Sequence, residues 1–186
     1  MITIPIQQHN LILCRLRYLP RLLAGLFLWL VLTGTPAIAV PIINDPDGFE
    51  DIPWGTTFSE TERFVKVEDT GRSQTYELKR KPPALGTTPV DSMLFTAFES
   101  KFGRVTVRYS GKDAHEGILT YLQSKYGPLD RTPGQIAVGP VKVYAWQGYA
   151  TEVTLRFESN FERGIIFFES RTLLEKLSEG NLSTAF

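Results

Sequence analysis

The chain has 186 residues, of which 42% are hydrophobic and 22% are charged, with 20 basic and 20 acidic residues. This composition is typical of a globular protein. It contains no basic block of the kind that binds nucleic acid or anionic lipid, so the sequence predicts no nucleic-acid partner.

The N-terminal segment has the pattern of a signal peptide. It combines a basic start, an apolar run, helix breakers and a small-residue cleavage site: Arg15, Arg17 and Arg21; residues 22–32; Gly34 and Pro36; and Ala37-Ile38-Ala39. We expect cleavage after Ala39, which makes residues 1–39 the signal peptide and the protein periplasmic or secreted. An uncleaved anchor is the alternative, since residues 22–40 are long enough to span a bilayer. The breakers and the cleavage site favour removal, which would leave no stable membrane insertion.

Removing residues 1–39 changes both the cysteine count and the charge. The single cysteine, Cys14, lies inside that segment and lacks the pattern of a lipoprotein signal. The remaining 147 of the 186 residues carry 17 basic and 20 acidic side chains, a net charge of −3. The mature chain therefore has no disulfide, and 147 residues are enough for one core.

Residues 40–56 are predicted to be an irregular lead-in to the domain. The D-x-D-G spacing within them resembles part of a calcium loop, because calcium prefers clustered carboxylate oxygens. Asp45, Asp47 and Asp51 would be its ligands. The later ligand positions of a full loop are missing, so a solvated turn is the alternative. We predict no metal site and no cofactor.

The first half of the domain is predicted to be one helix followed by three strands. Thr57 and Glu60 form a T-x-x-E capping box, which predicts a short helix with Phe58, Thr61 and Val65 on one face. Alternating apolar and polar residues predict the strands, separated after the first by a proline-rich loop: 73–81, 90–98 and 104–110. Val105, Val107 and Tyr109 are expected to face the core.

The second half repeats this order. A second capping box, Asp113 with Glu116, predicts a helix that ends at Gly127-Pro128 and turns Ala114, Ile118, Leu119, Leu122 and Tyr126 to the core. Three strands are predicted to follow: 141–146, 151–157 and 164–169. Ser170 would cap a last helix over 171–179, ending at Gly180, and 181–186 would be a frayed tail.

A short duplicated motif links the two halves. Phe98-Glu99-Ser100-Lys101-Phe102-Gly103-Arg104 recurs as Phe157-Glu158-Ser159-Asn160-Phe161-Glu162-Arg163, each time between two apolar runs, which is typical of a hairpin turn. The sequence therefore predicts one domain over 57–180 with repeated halves, 57–110 and 113–169. Its fold class would be α+β, an antiparallel sheet of about six strands with helices on one face.

Few residues favour catalysis. His115 is the only histidine after residue 39, and no neighbouring motif supplies a nucleophile or an orienting carboxylate. We expect a surface histidine. The adjacent acids Glu50-Asp51 and Glu68-Asp69 are expected to be solvated. No catalytic residue is predicted, and the alternative is a hydrolase or small-ligand protein in which distant carboxylates meet His115 in a cleft.

Several residues are candidates for binding. Arg104, Arg108 and Arg156, and with them Lys142, are predicted on the open sheet face. There they would bind a carboxylate or phosphate group, or pair across strands with Glu152, Glu77 and Glu99. Trp54, Trp146 and Tyr149 would mark a partner surface if exposed and belong to the core if buried.

Three motifs resemble those of a group of small exported bacterial proteins of unknown function: Gly48 to Thr56, Leu122 to Pro128 and Tyr144 to Gly148. Their shared layout is IPWGT, LxxKYGxP and WxG, and the resemblance implies no activity. The repeated units are also similar in topology to the beta-lactamase inhibitor protein and to SmpA/OmlA envelope-assembly lipoproteins. Taken together, we expect a periplasmic, non-enzymatic binding or interaction module that uses its open sheet face or hairpin tips, with an envelope protein as partner.

Overall fold

The computed structural model describes residues 39–79, 83–129 and 134–183, and of residues 179–183 only the backbone. The predicted signal peptide lies outside these residues, apart from Ala39. Neither helix in the described ranges is both long enough and apolar enough to cross a membrane.

The described chain is mainly β structure, with nine strands in one large sheet. Along the chain the strands are β1 (Val40–Pro41), β2 (Gly48–Phe49), β3 (Ile52–Pro53), β4 (Phe64–Asp69), β5 (Ser73–Leu78), β6 (Ala84–Leu85), β7 (Thr88–Pro89), β8 (Ser92–Phe98), β9 (Lys101–Ser110), β10 (Gln135–Val138), β11 (Val141–Gln147), β12 (Thr151–Glu158) and β13 (Arg163–Ser170). The two helices of these ranges are α1 (Lys112–Tyr126) and α2 (Arg171–Ser183).

The large sheet is mixed. Its order is β1-β11-β12-β13-β9-β8-β5-β4, and β10 also pairs with β11. The β1–β11 pairing is parallel, and the other pairings are antiparallel. Two small hairpins, β2–β3 and β6–β7, form separate two-stranded sheets.

The predicted α+β class is therefore wrong. The sheet has nine strands rather than six, two small sheets accompany it, and the halves are not repeated units of one helix and three strands. Several strands come from segments that the sequence predicted as irregular. Residues 40–56 supply β1, β2 and β3, and the proline-rich loop supplies β6 and β7.

The helix predicted after Thr57 does not form. Thr57 instead makes a β-bridge with Lys101, and the Phe58 amide donates to the Ser100 carbonyl at 2.9 Å. The Phe58 ring is buried against Phe64 and Phe102, with centroids 4.9 and 5.1 Å away. Pairing with β9 provides hydrogen bonds for the backbone of this segment, and the core buries its aromatic ring. These tertiary contacts outweigh the local preference for a helix that the capping box indicates.

Helix α1 is confirmed, although its cap is different. Gly111 is the N-cap at φ 97°, without a side-chain cap, and Asp113 lies inside the first turn. At the end of the helix, the amide of Gly127 donates to the Gln123 carbonyl at 3.0 Å. Ile118 and Leu122 are buried as predicted.

One face of the sheet carries the core. The inward residues of β9 and β12 are buried as the alternation predicted: Val105, Val107 and Tyr109, and Val153, Leu155 and Phe157. Helix α1 packs its buried side chains into this same cluster. The two duplicated segments form the β8–β9 and β12–β13 turns, as predicted.

Helix α2 begins as predicted and extends past Gly180. The Ser170 hydroxyl accepts from the Leu173 amide at 3.3 Å, as an N-cap does. Leu174 and Leu177 line a shallow pocket with Phe98, which alternates with the buried Ala97 and so faces the open side of the sheet. The helices therefore do not share one face.

Candidate functional site

Two hairpin turns and the start of α1 meet at one end of the sheet. The Ser159 amide donates to the Pro140 carbonyl at 2.9 Å, which joins the β12–β13 turn to the β10–β11 turn. The Gly111 amide donates to the Glu162 carbonyl at 2.8 Å, which adds the first turn of α1. We call residues 135–142, 157–163 and 111–116 the tip surface.

The tip surface exposes large apolar side chains. Val138 is 72% exposed, Phe161 66% and Ile136 44%. Val138 and Ile136 lie directly opposite Val141 and Val143 in the β10–β11 pair, so these four aliphatic side chains share the open face. A cluster of this kind is typical of a protein-interaction surface.

The two edges of the large sheet differ in their protection. β4 has Lys66, Glu68 and Asp69 and a register shift between Lys66 and Glu68, and charges and bulges discourage further strand pairing. β10 is Gln-Ile-Ala-Val, has no charge and no register shift, and all four residues are exposed. In the described part of the chain, no strand pairs with its outer edge.

Backbone groups of β10 point toward this outer edge. The Ala145 amide donates to the Gly134 carbonyl at 2.8 Å, so Gly134 and Ala145 form a hydrogen-bonded pair. Hydrogen-bonded pairs alternate in an antiparallel ladder. The N–H and C=O groups of Gln135 and Ala137 therefore point away from β11.

A cavity of about 270 Å³ opens beside this edge, on the covered side of the sheet. Helix α1, strands β11 and β12 and the β12–β13 turn all contribute to it. Its lining residues are Lys112, His115, Glu116, Leu119, Lys142, Tyr144, Phe157, Ser159 and Glu162. We call it the His115 pocket.

His115 is held rigidly in this pocket. It is only 6% exposed, so the prediction of a surface histidine is wrong. Its Nδ1 lies 2.8 Å from the Tyr109 hydroxyl, and its ring stacks on Phe157 with centroids 3.8 Å apart and planes 6° apart. Gly164 lies opposite Tyr109 in the β13–β9 pair, and a Cβ atom there would overlap the Tyr109 ring.

Burial sets the protonation of this pair. Burial, with a smaller contribution from the Lys142 charge, lowers the pKa of His115 to about 4, and burial raises the pKa of Tyr109. Both groups are neutral at pH 7. Because His115 is the only hydrogen-bond partner of the Tyr109 hydroxyl among the described residues, the phenol donates to Nδ1. The proton of the imidazole is then on Nε2.

The predicted aromatic anchors lie in different environments. Trp146 is fully buried and donates from Nε1 to the Gly127 carbonyl at 2.9 Å, so it belongs to the core. Trp54 is half-buried, stacks on Phe102 and donates to the Thr151 hydroxyl at 2.8 Å. Tyr149 is 84% exposed, in the turn at the opposite end from the tip surface. Only Tyr149 has the exposure of an anchor.

The three predicted arginines lie on the open face. Arg104 pairs with Glu169 at 2.5 Å, and its guanidinium lies 5.5 Å from the centre of the Phe98 ring. Arg108 and Arg156 are exposed and flank Ile165 in register. The cross-strand pairing of Arg104 is therefore with Glu169, rather than with the predicted Glu152, Glu77 or Glu99. Lys142 was predicted on the same face, and that prediction is wrong, because Lys142 lies on the covered side of the sheet with Tyr144.

Two of the three possible calcium ligands, Asp45 and Asp51, have other roles. Asp45 accepts from the Ala150 and Thr151 amides at 2.6 and 3.1 Å, which ties the lead-in to the β11–β12 turn. Asp51 pairs with Arg63 at 3.0 Å. Within the described ranges, no three histidine, cysteine or acidic side chains lie close enough together to hold a metal ion.

The sequence contained a signal for His115 that the prediction missed. His115 continues the spacing of Ile118, Leu122 and Tyr126, the buried stripe of α1. The edge strand β10 was missed because its four residues follow a segment that had no predicted element.

Comparison of the chain with protein-family models, with curated proteins and with solved structures found no match. The resemblance of the IPWGT, LxxKYGxP and WxG layout to small exported bacterial proteins stays a prediction.

Proposed function

We propose that the protein is a non-enzymatic binding module that recognises an extended segment of a partner protein along the outer edge of β10. The observation that carries this proposal is the contrast between the two edges of the sheet. The β4 edge has charges and a register shift, whereas the β10 edge has neither. Because the sequence predicts a signal peptide, we also propose that the module lies in the periplasm or outside the cell and that its partner is an envelope protein.

The backbone of β10 supports recognition by strand addition. The outward N–H and C=O groups of Gln135 and Ala137 can pair with an incoming strand, which gives affinity that is independent of the partner's sequence. Exposed apolar side chains beside them would select the partner. Val138 and Ile136 are on the open face, and the exposed Phe161 belongs to the same tip surface.

Hydrolysis at His115 is less well supported. Glu116 and Glu162 line the same pocket, but neither forms a hydrogen bond with His115 among the described residues. Its Nδ1 is occupied by Tyr109, which leaves no carboxylate to orient the ring as a general base requires. Ser159 also lines the pocket without a hydrogen bond to the imidazole within the same residues.

The test uses selection of peptides from a displayed random library on residues 40–186, followed by hydrogen exchange with a selected peptide. We expect the amides of Gln135 and Ala137 to become protected. The variant Ala137→Pro should abolish binding while retaining the fold, because the Ala137 N–H points away from β11 and an edge strand tolerates proline there. Val67→Lys on β4 is the matched control and should bind normally.

Other outcomes would contradict the proposal. Protection confined to other strands, or normal binding by Ala137→Pro, would exclude the β10 edge. Dimers that appear with rising protein concentration and vanish in Ala137→Pro would assign this edge to a second copy of the chain instead.

A further inference from the structure

We propose that the His115 pocket binds a small organic carboxylate whose apolar body lies against Phe157 and Leu119. This site adjoins the β10 edge, since Lys142 lies opposite Ala137 in the β10–β11 pair, but its test needs no protein partner. The pocket combines hydrogen-bond donors with an apolar wall.

Several side chains that line the pocket are hydrogen-bond donors. The imidazole of His115 directs Nε2–H away from Tyr109, since Nδ1 accepts the phenol proton. Lys142 lies directly opposite Phe157 in the β11–β12 pair, on the same side of the sheet as Tyr144. The imidazole N–H of His115, the phenol of Tyr144 and the exposed ammonium group of Lys142 therefore line one small cavity, and each of them can donate to a carboxylate.

The lining of the pocket includes two basic and two acidic side chains. Lys112 and Glu116 face each other at 3.9 Å on the exposed side of α1, so each offsets the other. Lys142 and Glu162 are both exposed, and neither forms an ion pair among the described residues. The formal charges therefore balance, and the preference for an anion comes from the donors of His115 and Lys142 rather than from a net charge.

The apolar part of the pocket determines the body of the ligand. Phe157 and Leu119 contribute hydrocarbon surface beside the donors, and the volume of about 270 Å³ lies just below the range of drug-sized ligand pockets. An aromatic or short aliphatic monocarboxylate has the matching size. A phosphorylated sugar or a dicarboxylate would leave an unpaired charge against this wall.

The rigidity of His115 supports a recognition role. The ring is fixed on one side by the phenol of Tyr109 and on one face by Phe157. A donor that is already oriented before binding loses little conformational entropy when the ligand arrives. Because Nδ1 accepts from the Tyr109 hydroxyl, Nε2 carries the proton of the neutral imidazole and is a donor at the pH values at which carboxylates are ionised.

The experiment titrates benzoate, phenylacetate and hexanoate into ¹⁵N-labelled protein (residues 40–186) and follows amide and imidazole resonances. We expect benzoate or phenylacetate to shift the signals of His115, Lys142 and Phe157 in a saturable way. Benzyl alcohol and benzylamine have similar bodies without the anion and should bind at least about tenfold more weakly, the cost of a lost charge-assisted hydrogen bond.

Variants identify the donor. Lys142→Met should weaken carboxylate binding about tenfold or more, whereas Lys125→Met near the far end of α1 should leave it unchanged. Both lysines are exposed, so both variants should fold. The proposal is overturned if the carboxylates produce no saturable shift, if benzylamine binds as well as benzoate, or if Lys142→Met binds benzoate normally.

Discussion

The hydroxyl of Tyr109 lies 2.8 Å from Nδ1 of His115, and both side chains are almost fully buried. Two titratable groups thus satisfy each other in the core, and neither carries a charge at pH 7. The pair connects the interior of the sheet to the His115 pocket, and its disruption should change both stability and ligand recognition.

Removal of this hydrogen bond is the first prediction. Tyr109→Phe should lower the free energy of unfolding by about 1–3 kcal/mol, because Nδ1 of His115 loses its buried donor. Urea denaturation at pH 7 measures the change. Tyr149→Phe, at an exposed position, is the control and should unfold like the wild type. Equal stability of the two variants would mean that the imidazole finds another donor.

The second prediction concerns pH. The pKa of His115 is about 4 in the folded protein against 6.5 ordinarily. Above pH 6.5 the imidazole is neutral in both states and contributes no pH dependence. As the pH falls from 6.5 toward 4, the unfolded chain binds a proton that the folded protein does not, so stability falls by on the order of 3 kcal/mol.

The measurement compares urea denaturation of the wild type and of His115→Gln across this range. The wild type should lose more stability on acidification, because the other titrating groups are common to both proteins. Parallel curves would contradict the prediction. A direct titration of the imidazole ring by NMR should give a midpoint near pH 4.

The third prediction concerns the lead-in segment. Asp45→Ala removes two hydrogen bonds from a carboxylate to the amides of Ala150 and Thr151 and should cost about 1–3 kcal/mol. Thermal unfolding of residues 40–186 checks this. Asp47→Ala, an exposed aspartate two positions away, should have little effect. Addition of calcium should not change the melting temperature of the parent protein. A higher melting temperature with calcium would show that the protein binds the ion after all.

The fourth prediction concerns the open face. Burial, and then the charge of Glu169, raise the pKa of Glu152, although Arg171 opposes this. A carboxyl with a raised pKa in the folded state destabilises the protein once it ionises, so its cost appears at neutral pH and disappears on acidification. Glu152→Gln should therefore be slightly more stable than the wild type at pH 7 and equal to it near pH 4.

Urea denaturation at both pH values tests this expectation, and Glu158→Gln at the end of the same strand is the control. A destabilised Glu152→Gln at pH 7 would show that the ionised carboxylate is favourably held, for instance by Arg171, rather than strained by Glu169.

The sequence predicted those elements whose pattern is local. Strands β9 and β12 alternate residue by residue between core and open face, and the glycine and proline after Tyr126 end α1. Both patterns follow from geometry within one element. Their positions were therefore correct, even where the cap of α1 was misassigned.

The missed elements depend on contacts between distant residues. The two residues of β1 have no periodicity of their own, and Val40 and Pro41 are strand only because Trp146 and Gln147 lie beside them. Phe58 lies within the capping box of Thr57 and Glu60, yet the aromatic cluster around it offers more burial than a short helix does. Nine strands could not be counted from local patterns alone.

The site was predicted only in part. The open-face arginines were placed on the correct face because strand alternation fixes them. The His115 pocket was missed because it requires β11, β12 and α1 to meet, and the cross-strand partner of Arg104 is set by the β9–β13 register.

Gly164 has no side chain, yet it affects the position of the Tyr109 ring. The Tyr109 ring occupies the space that a Cβ atom would need at that position. A methyl group introduced there would displace the phenol and remove its hydroxyl from Nδ1 of His115. The single hydrogen atom that glycine carries at position 164 thus preserves the orientation of an imidazole on helix α1.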